Sequence, residues 1–211
     1  MTVTLTFDNG PEPTVTPHVL DVLADRGVRA TFFVVGRRLA GARRLAERAR
    51  AEGHWIGNHT FTHGVPFGEL GDVERVRSEI EQAQSAIGSL AHPDRLFRPV
   101  GGGGNLDERL LTHEAVDLLL AGRYTCVLWT TVPRDWEDPD GWVDRAIESC
   151  ARRDDSVLVL HDVAGGAMDR LERFFDRAAD AGLRFRQDFP AGCVPIRRGE
   201  LVRPLDGLVG P

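Results

Sequence analysis

Along the chain, short runs of β-branched and apolar residues alternate with longer stretches in which apolar positions recur every three or four residues. The short runs predict strands over residues 3–7, 30–35, 54–57, 96–98, 125–129, 157–160 and 183–185. Helices are expected between them. The first has Thr16 as its N-cap, Pro17 at the first helical position and Gly27 as its stop. Others are expected over residues 38–52, 72–90, 107–120, 140–152 and 167–181. Within 72–90, Val73, Val76, Ile80, Ala83 and Ile87 mark an apolar face, and the charged opposite face is expected to be solvated. Such alternation builds an α/β fold around a parallel sheet, and periodicity leaves open whether the sheet closes as a barrel or stays open and doubly wound. In both, functional groups gather on the loops after the carboxyl ends of the strands.

Those loops are where the chemistry-bearing residues collect. The first strand ends in Asp8-Asn9-Gly10-Pro11, and the third is followed by Asn58-His59-Thr60-Phe61-Thr62-His63. The fourth runs through Arg98-Pro99 into Gly101 to Gly104, the fifth leads to Asp135-Trp136, and the sixth ends in His161-Asp162. Any one cluster reads as turn chemistry; five on one rim read as a site. His59 and His63 can share a divalent ion if their loop makes a helical turn, or can simply be solvated. Their spacing is not His-Glu-x-x-His, which disfavours that metalloprotease arrangement. Asp8 and Asn9 offer an oxygen ligand and a base, or a turn cap. His161 is either a satisfied core side chain or an acid–base group on a rigid strand. The glycine run is either a flexible turn or a place where backbone N–H groups approach a ligand.

Composition narrows the chemistry. All 26 basic residues of the 211 are arginine, against 32 acidic residues, for a net charge of −6. Lysine Schiff-base chemistry and a lysine-bearing phosphate loop are thereby excluded, and an acidic chain without a basic block argues against a nucleic-acid partner. The amino-terminal stretch lacks the pattern of a secretion signal and no apolar run is long enough to span a membrane, so a cytoplasmic protein without a membrane partner is expected. Cys126, Cys150 and Cys193 fit neither a disulfide framework nor a zinc ribbon and read as buried thiols. No linker or repeat interrupts the chain. A single domain over residues 1–211 is expected, with an irregular tail from about residue 186 that packs across the barrel bottom or mediates a dimer contact; the oligomeric state stays open.

Taken in order, the clusters resemble the motifs of the polysaccharide deacetylase family, the NodB-homology domains of carbohydrate esterase family four. The family's Thr-Phe-Asp-Asp-Gly-Pro stands here as Thr6-Phe7-Asp8-Asn9-Gly10-Pro11, and its His-Ser/Thr-x-x-His as His59-Thr60-Phe61-Thr62-His63. Its third motif is matched by Phe97-Arg98-Pro99-Val100-Gly101-Gly102, its fourth by Asp135-Trp136 and its fifth by Leu158-Val159-Leu160-His161. The resemblance implies a distorted (β/α)7 barrel and metal-dependent removal of an N-acetyl group from an amino sugar. It implies Asp8 as general base, with Asn9, His59 and His63 holding a divalent metal, zinc first, with cobalt or nickel as alternatives. Arg98 would orient Asp8, Asp135 would tune His161, and His161 would protonate the departing amine. The Gly101 N–H would face the oxyanion, and Trp136 and Leu160 would form the acetyl-methyl pocket. Two departures stand out: Asn9 replaces a charged ligand, which predicts weaker metal affinity, and Val100-Gly101 lacks the family's aromatic bulk. The expected substrate is an N-acetylated saccharide or a small N-acyl compound. The alternatives are a catalytically impaired saccharide-binding protein on the same scaffold and a cyclic amide or ureide hydrolase.

Overall fold

The computed structural model of the protein describes residues 1–210; Pro211, the last residue of the expected tail, lies outside the described residues. In chain order the elements are β1 (Thr2–Asp8), α1 (Thr16–Arg26), β2 (Thr31–Val34), α2 (Leu39–Ala51), β3 (Trp55–Asn58), α3 (Phe67–Leu70), α4 (Val73–Ile87), β4 (Leu96–Phe97), β5 (Leu111–Thr112), α5 (His113–Ala121), β6 (Thr125–Cys126), α6 (Trp142–Ala151), β7 (Asp155–His161), α7 (Leu171–Asp180), β8 (Arg184–Arg186), β9 (Ile196–Arg197), β10 (Glu200–Leu201) and β11 (Val209–Gly210).

β1 is the spine of the sheet. It pairs in parallel with β7 along its whole length, with β8 through Thr2 to Thr4 and with β2 through Thr6 to Asp8. The parallel order continues from β2 to β3, β4 and β6. Beyond β6 the chain turns back onto β7: Thr131 bridges Leu158 in parallel, the Thr130 and Thr131 N–H groups both donate to the Val157 carbonyl, and Val159 N–H donates to the Thr131 carbonyl. That seam closes the ring into the expected distorted (β/α)7 barrel, whose parallel members are β1, β2, β3, β4, β6, β7 and β8.

Strand alternation sorts the side chains into two layers. Val3, Leu5 and Phe7 of β1, with Leu158 and Leu160 of β7, join the core between barrel and helices. On the opposite face of β1 stand Thr4, Thr6 and Asp8, all buried. β7 likewise turns Val157 and Val159 to a separate core cluster on its other face. The barrel interior is therefore unusually polar at the level of the rim.

The helices follow local chemistry, with three differences from the sequence pattern. Gly27, at φ 64°, ends α1 as expected, because a left-handed stop costs least without a Cβ. Thr16 is not its N-cap, however; it is the first helical residue, and its hydroxyl donates to Asp162. Val73 is exposed rather than part of the apolar face of α4, since it occupies the first turn beside the true cap, Asp72. Helix α5 starts well after residue 107, because Leu111–Thr112 pairs with β11 and the Thr112 hydroxyl caps the Ala115 N–H. In the carboxyl-terminal segment, β9 extends the sheet antiparallel to β6, β10 folds back on β9, and β11 pairs with β5. The three cysteines are free and buried. Among the described residues no helix is long and apolar enough to cross a membrane.

Trp142 is a test of the helix layer, being fully buried at the start of α6, packed 5.4 Å from Phe174 and donating its indole N–H to the Ala167 carbonyl at 2.9 Å. Trp142→Ala is expected to cost about 3–5 kcal/mol, from cavity formation and an orphaned acceptor, read as a lowered midpoint in urea unfolding.

Candidate active site at the barrel rim

The carboxyl ends of the parallel strands open into a cavity of about 270 Å³ lined by Asp8, Asn9, His59, His63, Pro99, Gly101, Gly103, Gly104, Trp129, Val132, Trp136, Val159 and His161. Parallel register brings its two acid–base residues side by side, because Asp8 and His161 are direct partners at the ends of β1 and β7.

Asp8 is held from behind by Arg98. The guanidinium is fully buried and donates through Nη1 to Asp8 Oδ1 at 2.8 Å and to Thr6 Oγ1 at 2.7 Å. Nε donates to the Val127 carbonyl at 3.2 Å and Nη2 to the Leu128 carbonyl at 3.4 Å, while the cationic plane lies 4.0 Å from the centroid of Phe33. A cation without water survives only with this degree of hydrogen bonding. Burial pulls the Arg98 pKa down and the Asp8 charge and hydrogen bond push it back up. Arg98 is absent from the cavity lining, so it acts on Asp8 rather than on a ligand.

His161 is held the same way. Its Nδ1 lies 2.8 Å from Asp135 Oδ1, and its backbone N–H donates to Asp135 Oδ2 at 2.9 Å. Asp135 is fully buried, and the Trp136 ring stands edge-on to the imidazole with centroids 4.8 Å apart. Burial alone disfavours the imidazolium, but the hydrogen bond and charge of Asp135, backed by Asp8 and Asp162, outweigh it and raise the His161 pKa. With Nδ1 on Asp135, Nε2 is the nitrogen free to act.

The loop of His59 and His63 is not the helical turn considered from their spacing, yet a bend with left-handed Thr60 and His63 brings the ring centroids to 4.8 Å apart. His59 Nδ1 lies 2.8 Å from the Arg98 carbonyl, which can only accept; that nitrogen therefore carries the proton, and Nε2, 3.6 Å from Asp8 Oδ2, presents a lone pair. Burial lowers both pKa values, that of His63 to about 3, so both rings are neutral at pH 7. Asn9 Oδ1 is buried and has no hydrogen-bond partner, an exception that asks for a ligand. Two neutral imidazoles and an orphaned oxygen around one cavity are donors of the kind a zinc-class divalent ion takes, so the residues fit such an ion. Among the described residues no cluster of three or more His, Cys, Asp or Glu side chains forms a metal-holding group, so a third protein donor beside the two imidazoles would have to be of another kind, such as the Asn9 amide. Asn9, Thr60 and His63 all adopt positive φ, at 76°, 65° and 52°, backbone strain that clusters here.

Of the residues expected at the site, Asp8, Asn9, His59, His63, Gly101, Trp136 and His161 reach the cavity; Arg98 and Asp135 stand behind it. Leu160 does not reach it. It is fully buried in the helix-facing core, and Val159 lines the cavity instead, because the residue two before His161 shares its face of the strand. Three supporting residues were given no role by the sequence reading. Glu79, on the face of α4 expected to be solvated, accepts from the Phe61 and Thr62 N–H groups at 2.9 and 2.8 Å and from the Thr62 hydroxyl, fixing the turn before His63. Asp162 is fully buried, accepting from the Gly10 N–H at 3.1 Å and the Thr16 hydroxyl at 2.6 Å, so it ties the Asp8-Asn9-Gly10 turn to the end of β7. Trp129 forms part of the wall. The period-two rule was the available signal for Val159; nothing local marks Glu79.

Comparison with known proteins agrees with the geometry. The sequence model of the family described as polysaccharide deacetylase matches residues 1–115. A chitooligosaccharide deacetylase of Rhizobium leguminosarum bv. phaseoli is 38% identical over 167 residues, covering 75% of this chain and 66% of its own length. A peptidoglycan-N-acetylglucosamine deacetylase of Bacillus cereus is 33% identical over 172 residues, covering 80% of this chain and 74% of its own. The solved family 4 carbohydrate esterase of Streptomyces lividans, in complex with acetate, superposes with a TM-score of 0.74 at 27% identity, over 96% of this chain and 97% of that one.

Asp162 generates a test that needs no substrate. Burial pushes its carboxyl up to about 7 in the folded protein, against about 3.9 unfolded. The folded state therefore holds a proton that the unfolded chain has lost, and this group's contribution to stability falls as pH rises from about 4 to about 7. Asp162→Asn should remove that slope, so that the difference in unfolding free energy between variant and wild type shifts in the variant's favour across the interval. Urea titrations at several pH values measure it; parallel profiles would refute the assignment.

Proposed function

The chain belongs to the polysaccharide deacetylase family, and on that premise we propose that its rim cavity hydrolyses the N-acetyl amide of an N-acetylated saccharide to acetate and a free amino sugar. The observation that carries this reading is the pair of opposed acid–base groups on one cavity: Asp8 anchored by the Arg98 cation, and His161 made more basic by Asp135.

Asp8 takes a proton from the attacking water as the oxygen bonds to the acetyl carbon. The developing oxyanion accepts a hydrogen bond from the Gly101 N–H. His161, in its protonated form, gives its Nε2 proton to the amide nitrogen as the carbon–nitrogen bond breaks, because an unprotonated amine leaves poorly. Asp8 and His161 both end neutral, and loss of the Asp8 proton to solvent with uptake of one by His161 resets them. Trp136 and Val159 supply apolar contact for the acetyl methyl. Asn9, His59 and His63 would hold a divalent ion, zinc with cobalt or nickel as alternatives. Such an ion polarises an amide carbonyl and acidifies water. The names of the relatives favour a chitooligosaccharide or peptidoglycan amino sugar over a small N-acyl compound. Asn9 in place of a charged ligand favours a second reading, a saccharide-binding protein with little turnover.

Acetate release from chitooligosaccharides separates these readings: turnover by the wild type, with a kcat lower by about 10²–10⁴ in His161→Ala, supports hydrolysis, whereas saccharide binding without acetate under zinc, cobalt or nickel supports the binding protein. Chelation is expected to abolish activity and one of those ions to restore it; indifference to chelator would exclude the metal assignment. His161 acts in its protonated form, so activity falls as pH rises through its elevated pKa. Asp135→Asn removes the interactions that raise it, and the alkaline limb of the pH–kcat profile should move to lower pH.

A further inference from the structure

The backbone donor assigned to the oxyanion sits in a glycine run whose middle is tied by Asn105 Nδ2, donating to the Gly102 carbonyl at 2.9 Å. Gly101 opens a run of four glycines, and its N–H donates to no acceptor among the described residues. Catalysis by such a donor requires that its direction be fixed before the reaction, and four successive glycines supply no side chain to fix it. The loop has one internal backbone bond of ordinary length, from the Gly104 N–H to the Gly101 carbonyl at 3.0 Å.

Trp129 supplies what the loop lacks. Its indole N–H donates to the Gly104 carbonyl at 2.9 Å, and its Cζ2–Cη2 edge lies 2.5 Å from the point where a Cβ on residue 101 would stand. The ring therefore lies directly against the Gly101 backbone and holds both ends of the run. The ring is only 7% exposed, and the two residues before it are pinned through their carbonyls to the Arg98 guanidinium. We propose that Trp129 is the positioning residue for the Gly101 N–H, an indole wedge that turns a mobile glycine run into a fixed oxyanion donor. The inference rests on the deacetylase reading. It also explains the absence of a side chain at position 101, since the indole edge fills that space.

Trp129→Phe keeps an aromatic ring but removes both the N–H and the outer edge of the indole. With chitooligosaccharide as substrate and metal-supplemented enzyme, its kcat is expected to fall roughly 10- to 100-fold with KM within about twofold, because the lost interaction forms only in the transition state. Both limbs of the pH profile should stay in place, since Asp8 and His161 keep their partners. Gly101→Ala should be severely impaired alone, yet cost little more when added to Trp129→Phe, whose shorter ring vacates the space. Amide hydrogen exchange at residues 101–104 gives a readout without turnover: exchange should accelerate in Trp129→Phe while the rest of the barrel is unchanged. An unaltered kcat, a loss confined to KM, a displaced pH limb or unchanged exchange would each overturn the wedge role. If the wild type releases no acetate, the deacetylase reading fails instead, and the exchange experiment still decides whether Trp129 orders the loop.

Discussion

One guanidinium, sealed inside the barrel, organises the site. Arg98 grips Asp8 and Thr6 of β1 with one nitrogen and reaches the carbonyls of Val127 and Leu128 with the other two. Its own carbonyl receives the proton of His59 Nδ1. The carboxylate, the imidazole turn and the strand leading to Trp129 are therefore referred to a single buried cation. Removing such a cation leaves the buried Asp8 carboxylate without its counter-charge, a far larger loss than a surface ion pair represents. The polar inner face of β1 follows from the same constraint: Thr6 is a hydrogen-bonding acceptor for Arg98 at a position where an apolar side chain would leave an N–H unmet.

Around that centre the two halves of the chemistry are built alike. Asp8 and His161 are each backed by a partner of opposite charge that stays out of the cavity and comes from a segment following another strand, Arg98 after β4 and Asp135 after β6. Asp8 and His161 stand opposite one another because parallel pairing sets equivalent residues side by side, about 4.8 Å apart between strands. The barrel thus delivers a carboxylate and an imidazole to one small volume, and loop conformation only has to bring the other imidazoles, the indole and the glycine backbone in around them.

Most of this was legible in the chain. Hydrophobic period located the seven parallel strands of the barrel but not the parallel pair β5 and β11, and the residues after the barrel strands supplied the site, because a parallel barrel sends all its carboxyl ends to one rim. What escaped the sequence has physical causes. Leu160 was assigned to the pocket by proximity to His161, whereas strand alternation turns it outward and sends Val159 inward. The late start of α5 reflects pairing between residues nearly a hundred positions apart in the chain, which no local window contains. Glu79 looks like one more solvated charge on a helix face until the turn it caps is brought against it. Asp162 follows His161 directly, yet its partners, Gly10 and Thr16, come from the other end of the sequence.

The closing seam of the barrel bears on how the cavity behaves. Between β6 and β7 the ring is joined not by a continuous ladder but by a few bonds gathered on Val157, Val159 and Thr131. Trp129 lies just before that joint, and Asp135 and Trp136 just after it. The wall carrying Trp129, Asp135 and Trp136 is thus hung on a joint without a continuous strand ladder. The opposite wall, laddered through β1, β2 and β3, carries Asp8 and the loop of His59 and His63, so the two sides of the cavity are joined to the barrel by different means.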